Sequence, residues 1–168
     1  MVNGLVMGVL FSIHFLLSSA NNTFLSLLAM LITVAVVVVM YKMGINYRDK
    51  AEKGRFNYWT MVNLTILTFF FGGLIVAAFK LLYTSFIKPD FLTDFVNQAS
   101  LAMDAMRGAM PEEFIDNYIE LLEKYSTPLN FAHIAVWNEV LRGLFLGLIL
   151  GIFVRKKTNI FEEENIKQ

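Results

Sequence analysis

The stretch KMGINYRDKAEKGRFN, residues 42–57, decides how the rest of the chain is read. It carries Lys42, Arg48, Lys50, Lys53 and Arg55 against Asp49 and Glu52. Residues 1–41 before it and 58–79 after it contain no Asp, Glu, Lys or Arg. Short basic loops beside spanning helices stay in the cytoplasm. The stretch is therefore expected to be an inner loop of a multi-pass membrane protein.

Working outward, a spanning helix needs about 20 mostly apolar residues. Four segments qualify: 2–19, 24–41, 58–86 and 128–154. Four spans alternate in direction, so the basic loop 42–57 and the tail 155–168, which opens Arg155-Lys156-Lys157, fall on one side. The insert 88–127 falls on the other, with eight acids against Lys88, Arg107 and Lys124. The expected fold is an all-α membrane protein of four transmembrane helices, with an extracytoplasmic helical hairpin between the third and fourth. The expected place is the bacterial inner membrane, both termini cytoplasmic. A rival reading takes Leu17-Ser18-Ser19-Ala20 as a signal-peptidase site after an apolar run. No Lys or Arg precedes that run, so the first helix is expected to be retained. Cleavage would leave three spans in the same orientation.

Composition agrees. The hydrophobic share is 57%, above the roughly 45–50% of soluble domains. A net charge of zero leaves no basic excess to neutralise phosphates, which argues against a nucleic-acid partner. The lack of cysteine excludes disulfides and thiolate chemistry.

In the insert, Pro89 and Pro111 suit the first turns of two helices. Phe91, Phe95, Ala99, Ala102, Met103 and Met106 share one face of the first at helical spacing. Phe114, Tyr118, Leu121, Leu122 and Tyr125 do so on the second, and Gly108 suits a cap between them. Met103, Met106 and Met110 could suggest Cu(I). Methionine as an adaptable filler of an apolar stripe accounts for them better, so no metal and no cofactor is expected.

Ionisable groups inside spans are candidate functional residues. Glu139 and Arg142, three apart on the fourth helix, can pair along one face. They stand about 22 and 18 Å in from Val154 at 1.5 Å per residue. The pair is read as self-neutralising; the sharper alternative is an ion, proton or headgroup site. Lys80 falls near the outer boundary and is read as snorkelling. His14, in the first span, is expected to hydrogen-bond to a neighbouring helix, and Asn63 is a polar candidate in the third. No catalytic constellation or phosphate loop appears.

Gly143, Gly147 and Gly151 recur every four residues on the fourth helix, as Gly4, Gly8 and Ser12 do on the first. Such stripes let backbones approach closely. Both fall in the inner half of the membrane on antiparallel helices, so they are expected to pack on one another, or on another subunit.

Tyr41, Gly44, Tyr47-Arg48-Asp49-Lys50 and Gly54 follow the second span, and Tyr83 and Pro89-Asp90-Phe91 follow the third. With Met110-Pro111-Glu112-Glu113, Gly147, Gly151 and Arg155-Lys156-Lys157, they make the chain resemble the family known as domain of unknown function 4199, four-span proteins of Bacteroidota. The resemblance implies topology and compartment, with no assigned activity, and a setting beside polyprenyl-phosphate glycosyltransferases. The leading functional reading is a non-catalytic accessory or scaffold subunit of a membrane complex, its partners lipids and another membrane protein or a second copy. A small transporter or oligomeric channel using Glu139 and Arg142 is the alternative. An enzyme on lipid phosphate, with Arg142, Lys80 and His133 as phosphate contacts, is the third.

Overall fold

The computed structural model describes residues 2–20, 22–50 and 56–154. All long elements are helical: α1 (Val2–Ser18), α2 (Thr23–Lys50), α3 (Tyr58–Leu82), α4 (Phe91–Asp104), α5 (Glu112–Tyr125) and α6 (Pro128–Val154). A π-helical turn, Tyr83–Ile87, extends α3. With that turn, α3 is, among the described residues, one of three helices long and apolar enough to cross a membrane, with α2 and α6. The first apolar segment forms a shorter helix.

Local chemistry sets the helix ends. Asn57 caps α3: its side chain accepts from the Thr60 amide, and the Thr60 hydroxyl accepts from the Asn57 amide. That reciprocal pair satisfies two amides with no partner inside the helix. Residues 42–50, expected in a loop, continue α2 instead. Two features favour this. Arg48 and Lys50 complement the negative end of the helix dipole, and Gly44 lies against Met61 and Val154. The remaining basic residues of that loop, Lys53 and Arg55, and the 155–168 tail lie outside the described residues.

The centre of the bundle is α3, which packs on α6 along one side and α1 along the other. Met7, Phe11, Val36, Met40, Met61, Phe69 and Leu150 are buried in the core. Phe11 and Phe69 meet with ring centroids 5.1 Å apart. The glycine stripes do not face one another as expected; each faces α3. A β-carbon at Gly8 would stand 2.6 Å from Ile75 Cβ, and at Gly4 2.7 Å from Phe71 Cβ. At Gly143 it would meet Phe69, at Gly147 the backbone of Val62, and at Gly151 the Tyr58 ring. A small-residue stripe permits close approach to any helix with a matching surface, and α3 offers one to each partner.

Beyond α3, the helices α4 and α5 touch one another. Arg107 joins them, donating to Asp104 and Asp116 at 2.8 Å each. Those two carboxylates, Asp104 first, hold the guanidinium pKa above its ordinary value. Gly108 takes a φ of +98° at the turn, where a β-carbon would be strained. Of the α5 stripe read from the sequence, only Leu122 is drawn inward. Ile115 is buried and Ile119 and Leu122 are half-buried, whereas Phe114, Tyr118, Leu121 and Tyr125 are exposed. Both sets follow helical spacing, one residue out of register, so periodicity alone does not choose between them. On α4, Leu92 is buried, and Phe91 enters an aromatic cluster centred on Phe15.

Candidate functional site

Most of the buried positions of α6 are small (Ala132, Ala135, Gly143, Gly147 and Gly151), and Glu139 lies among them. Gly73 on α3 leaves room for it: a β-carbon there would lie 3.3 Å from Glu139 Cβ. The Glu139 side chain is only 8% exposed, while that of Arg142 is 60% exposed. Arg142 Nη1 donates to Glu139 Oε1 at 3.0 Å. The other carboxylate oxygen, Oε2, is buried with no hydrogen-bond partner. A buried carboxylate satisfied on one side only is costly, so this oxygen marks the place where another group is needed.

Glu139, Arg142 and Leu146 form one wall of a cavity of about 350 Å³. Phe11 and His14 of α1 close a second wall, with Phe69 behind them. Thr33, Val36 and Val37 of α2 form the third. The rim is open, since Thr33, Val37 and Arg142 are exposed. Toward its C-terminal end α2 meets α6, where Arg48 Nη1 donates to the Val154 carbonyl at 3.4 Å. The Thr33 hydroxyl donates to the Ala29 carbonyl at 3.2 Å. The crevice is apolar apart from one imidazole, one hydroxyl and the acid–guanidinium pair.

The fold thus brings His14 to Glu139 and Arg142, from helices far apart in sequence. Lys80 lies elsewhere, within electrostatic reach of Glu139 and Arg142 but outside the cavity lining. Its ammonium sits 4.8 Å from the ring centroids of both Phe15 and Phe131, a cation–π clamp between α1 and α6. Phe15 is the hub of that region, with Tyr83 at 5.4 Å and Phe79 at 6.3 Å besides Phe91 and Phe131. Asn63 points away from the crevice on the exposed face of α3. His133 Nε2 accepts from Trp137 Nε1 at 2.8 Å on the exposed side of α6, so His133, Lys80 and Arg142 do not gather in one pocket. Ser12 donates to the Gly8 carbonyl at 2.8 Å.

The α2 wall was not foreseen. Thr33 stands alone among the apolar residues of 27–40, and an isolated threonine carries no signal of its neighbours. Phe15 and Phe131 were equally silent, because a ring among apolar residues reads as core.

Long apolar helices around a crevice that holds a few polar groups define, among the described residues, an all-helical protein of membrane-spanning character. The chain belongs to the family of proteins of unknown function designated DUF4199, whose model matches residues 2–156. No curated protein and no solved structure matches it.

Proposed function

We propose that this protein is a four-span, non-catalytic accessory subunit of an inner-membrane assembly, with cytoplasmic termini and the α4–α5 hairpin outside. In this reading, the crevice between α1, α2 and α6 holds a component drawn from the bilayer or from a partner. The asymmetry of the Glu139–Arg142 pair carries the proposal: the acid is buried and the guanidinium open. Arg142 lies about 18 Å from the Val154 end of α6 at 1.5 Å per residue, within a hydrocarbon layer about 30 Å thick. An ionised group at that depth is costly unless something meets it. Glu139 takes one of its donors, and the rest face the open side. The other groups suit holding better than group transfer, with the acid engaged by a guanidinium and the Thr33 hydroxyl by the backbone.

A polyprenyl-phosphate glycosyltransferase is the partner class suggested by the family resemblance. The exposed apolar stripe of α5, from Phe114 to Tyr125, offers a contact on the outer side. Gentle detergent extraction, followed by mass spectrometry of co-eluting proteins and lipids, tests the proposal. A component should accompany the native chain and be depleted with Arg142→Gln. Identical sets from both would refute a binding role for the crevice. A transporter or channel is the second reading, favoured by the same open rim. Solute flux in proteoliposomes that depends on Glu139 would select it.

A further inference from the structure

We infer that the crevice binds the carboxyl group of a long-chain fatty acid that enters sideways from the bilayer. This rests on reading the crevice as a binding site and names what it holds. Four observations converge. The rim at Val37 and Arg142 is exposed, so a ligand enters from the surrounding lipid and is an amphiphile. The lining from Phe11, Val36, Phe69 and Leu146 is apolar and accommodates methylenes. Glu139 Oε2 is buried and needs a donor. Arg142, beside it, has guanidinium donors on the open side and needs an acceptor.

A carboxylic acid supplies both on one planar group: its O–H donates to Oε2, and its carbonyl accepts from Arg142. Two carboxyls then share one proton beside a cation, an arrangement known where like acids sit close together. The depth of the site decides among amphiphiles. A permanently charged headgroup is costly at mid-bilayer, whereas a protonated fatty acid arrives neutral. Lys80 and Arg142 outnumber Glu139 by one charge, so the site also tolerates loss of the ligand's proton. A primary ammonium would donate to Oε2 but adds a third cation to the cluster, and a quaternary ammonium has no N–H to donate. The cavity, about 350 Å³, lies in the range of roughly 300–1,000 Å³ typical of small-molecule sites. It holds the carboxyl end and part of the chain, and the remainder leaves over Val37 into lipid.

The test uses the full chain in nanodiscs of zwitterionic phospholipid, with cis-parinaric acid as a fluorescent fatty-acid probe. Its methyl ester and the matching alcohol serve as controls for simple partitioning. Energy transfer from tryptophan reports proximity, since Trp137 lies two residues from Glu139. The acid should bind saturably and the ester should not. Arg142→Gln and Glu139→Gln should each weaken binding about tenfold or more, as expected for a lost charge-assisted hydrogen bond. Val37→Phe, which fills the rim without touching the pair, should also block it; this variant decides the matter where a charge variant does not fold. Equal binding of acid, ester and alcohol, all blocked by Val37→Phe, would overturn the carboxyl assignment and leave the crevice as a binding site. Binding indifferent to all three substitutions would overturn both.

Discussion

Gly73 and Glu139 face one another across the α3–α6 contact, and the absent side chain of one makes room for the side-chain stem of the other. A β-carbon at Gly73 would stand 3.3 Å from Glu139 Cβ and 3.4 Å from Val136 Cα. Gly73→Ala therefore needs an adjustment of a few tenths of an ångström, while Gly73→Leu must separate the helices. Gly73→Leu should lower stability by about 1–3 kcal/mol, the usual cost of overpacking. Thermal unfolding in detergent, followed by circular dichroism, would show it. A Gly73→Leu protein as stable as the native chain would mean that α3 and α6 do not meet there.

The ion pair should respond asymmetrically. Arg142→Gln leaves the buried Glu139 without its charge partner, whereas Glu139→Gln leaves an arginine already open to its surroundings. The first should therefore cost more, about 1–3 kcal/mol for an unsatisfied buried group. The double substitution should recover part of that loss. A double-mutant cycle in thermal denaturation measures the coupling, and equal effects of the two single changes would show that the carboxylate is hydrated.

Gly147 is a sharper packing site than Gly73. A β-carbon there would lie 3.1 Å from Val62 Cα and 3.2 Å from its carbonyl oxygen, so the obstacle is backbone and cannot rotate away. Gly147→Leu should prevent close α3–α6 approach and abolish the monodisperse peak in size-exclusion chromatography. Ile149→Leu, on the exposed face two residues on, should leave the profile unchanged.

The Phe15 hub should matter more than the lysine it helps to clamp. Phe15→Ala removes a buried ring shared among α1, α3, α4 and α6, with an expected loss of about 3–5 kcal/mol. Lys80→Met keeps the aliphatic stem and loses the cation–π contacts, an expected loss of about 1–2 kcal/mol. Thermal shifts of the two variants side by side would rank them, and a larger effect from Lys80→Met would show that charge, not packing, organises this end of the bundle.

Orientation can be read by cysteine labelling. Asn97 on α4 and Asn46 on α2 are both exposed. A cysteine at position 97 should react with an impermeant thiol reagent on intact cells with a permeabilised outer layer, and one at position 46 should not. The reverse pattern would invert the topology.

Much of the architecture was legible because apolar length and the spacing of charges are local properties. The bounds of α6 follow from an apolar run that opens at Pro128 and closes at Val154 before a basic cluster. The Glu139–Arg142 pair follows from three-residue spacing on one helix. By contrast, α2 runs on through Lys50, since Gly44 finds a seat between Met61 and Val154 that no local signal announces. Apart from Leu122, the α5 stripe read from the sequence is the exposed one, because two apolar stripes share the helix and only the neighbours choose.

The sequence by itself determined that this chain is made of long apolar helices, that one of them carries an acid and a guanidinium within bonding reach, and that small residues line two of them. These depend on composition and on the 3.6-residue turn. Only the tertiary structure decided that both small-residue stripes dock on α3, that the acid is the buried member of its pair, and that His14 and Thr33 join it around a crevice. Those outcomes depend on which helix faces meet, and a face apolar enough to pack on one helix is apolar enough to pack on another.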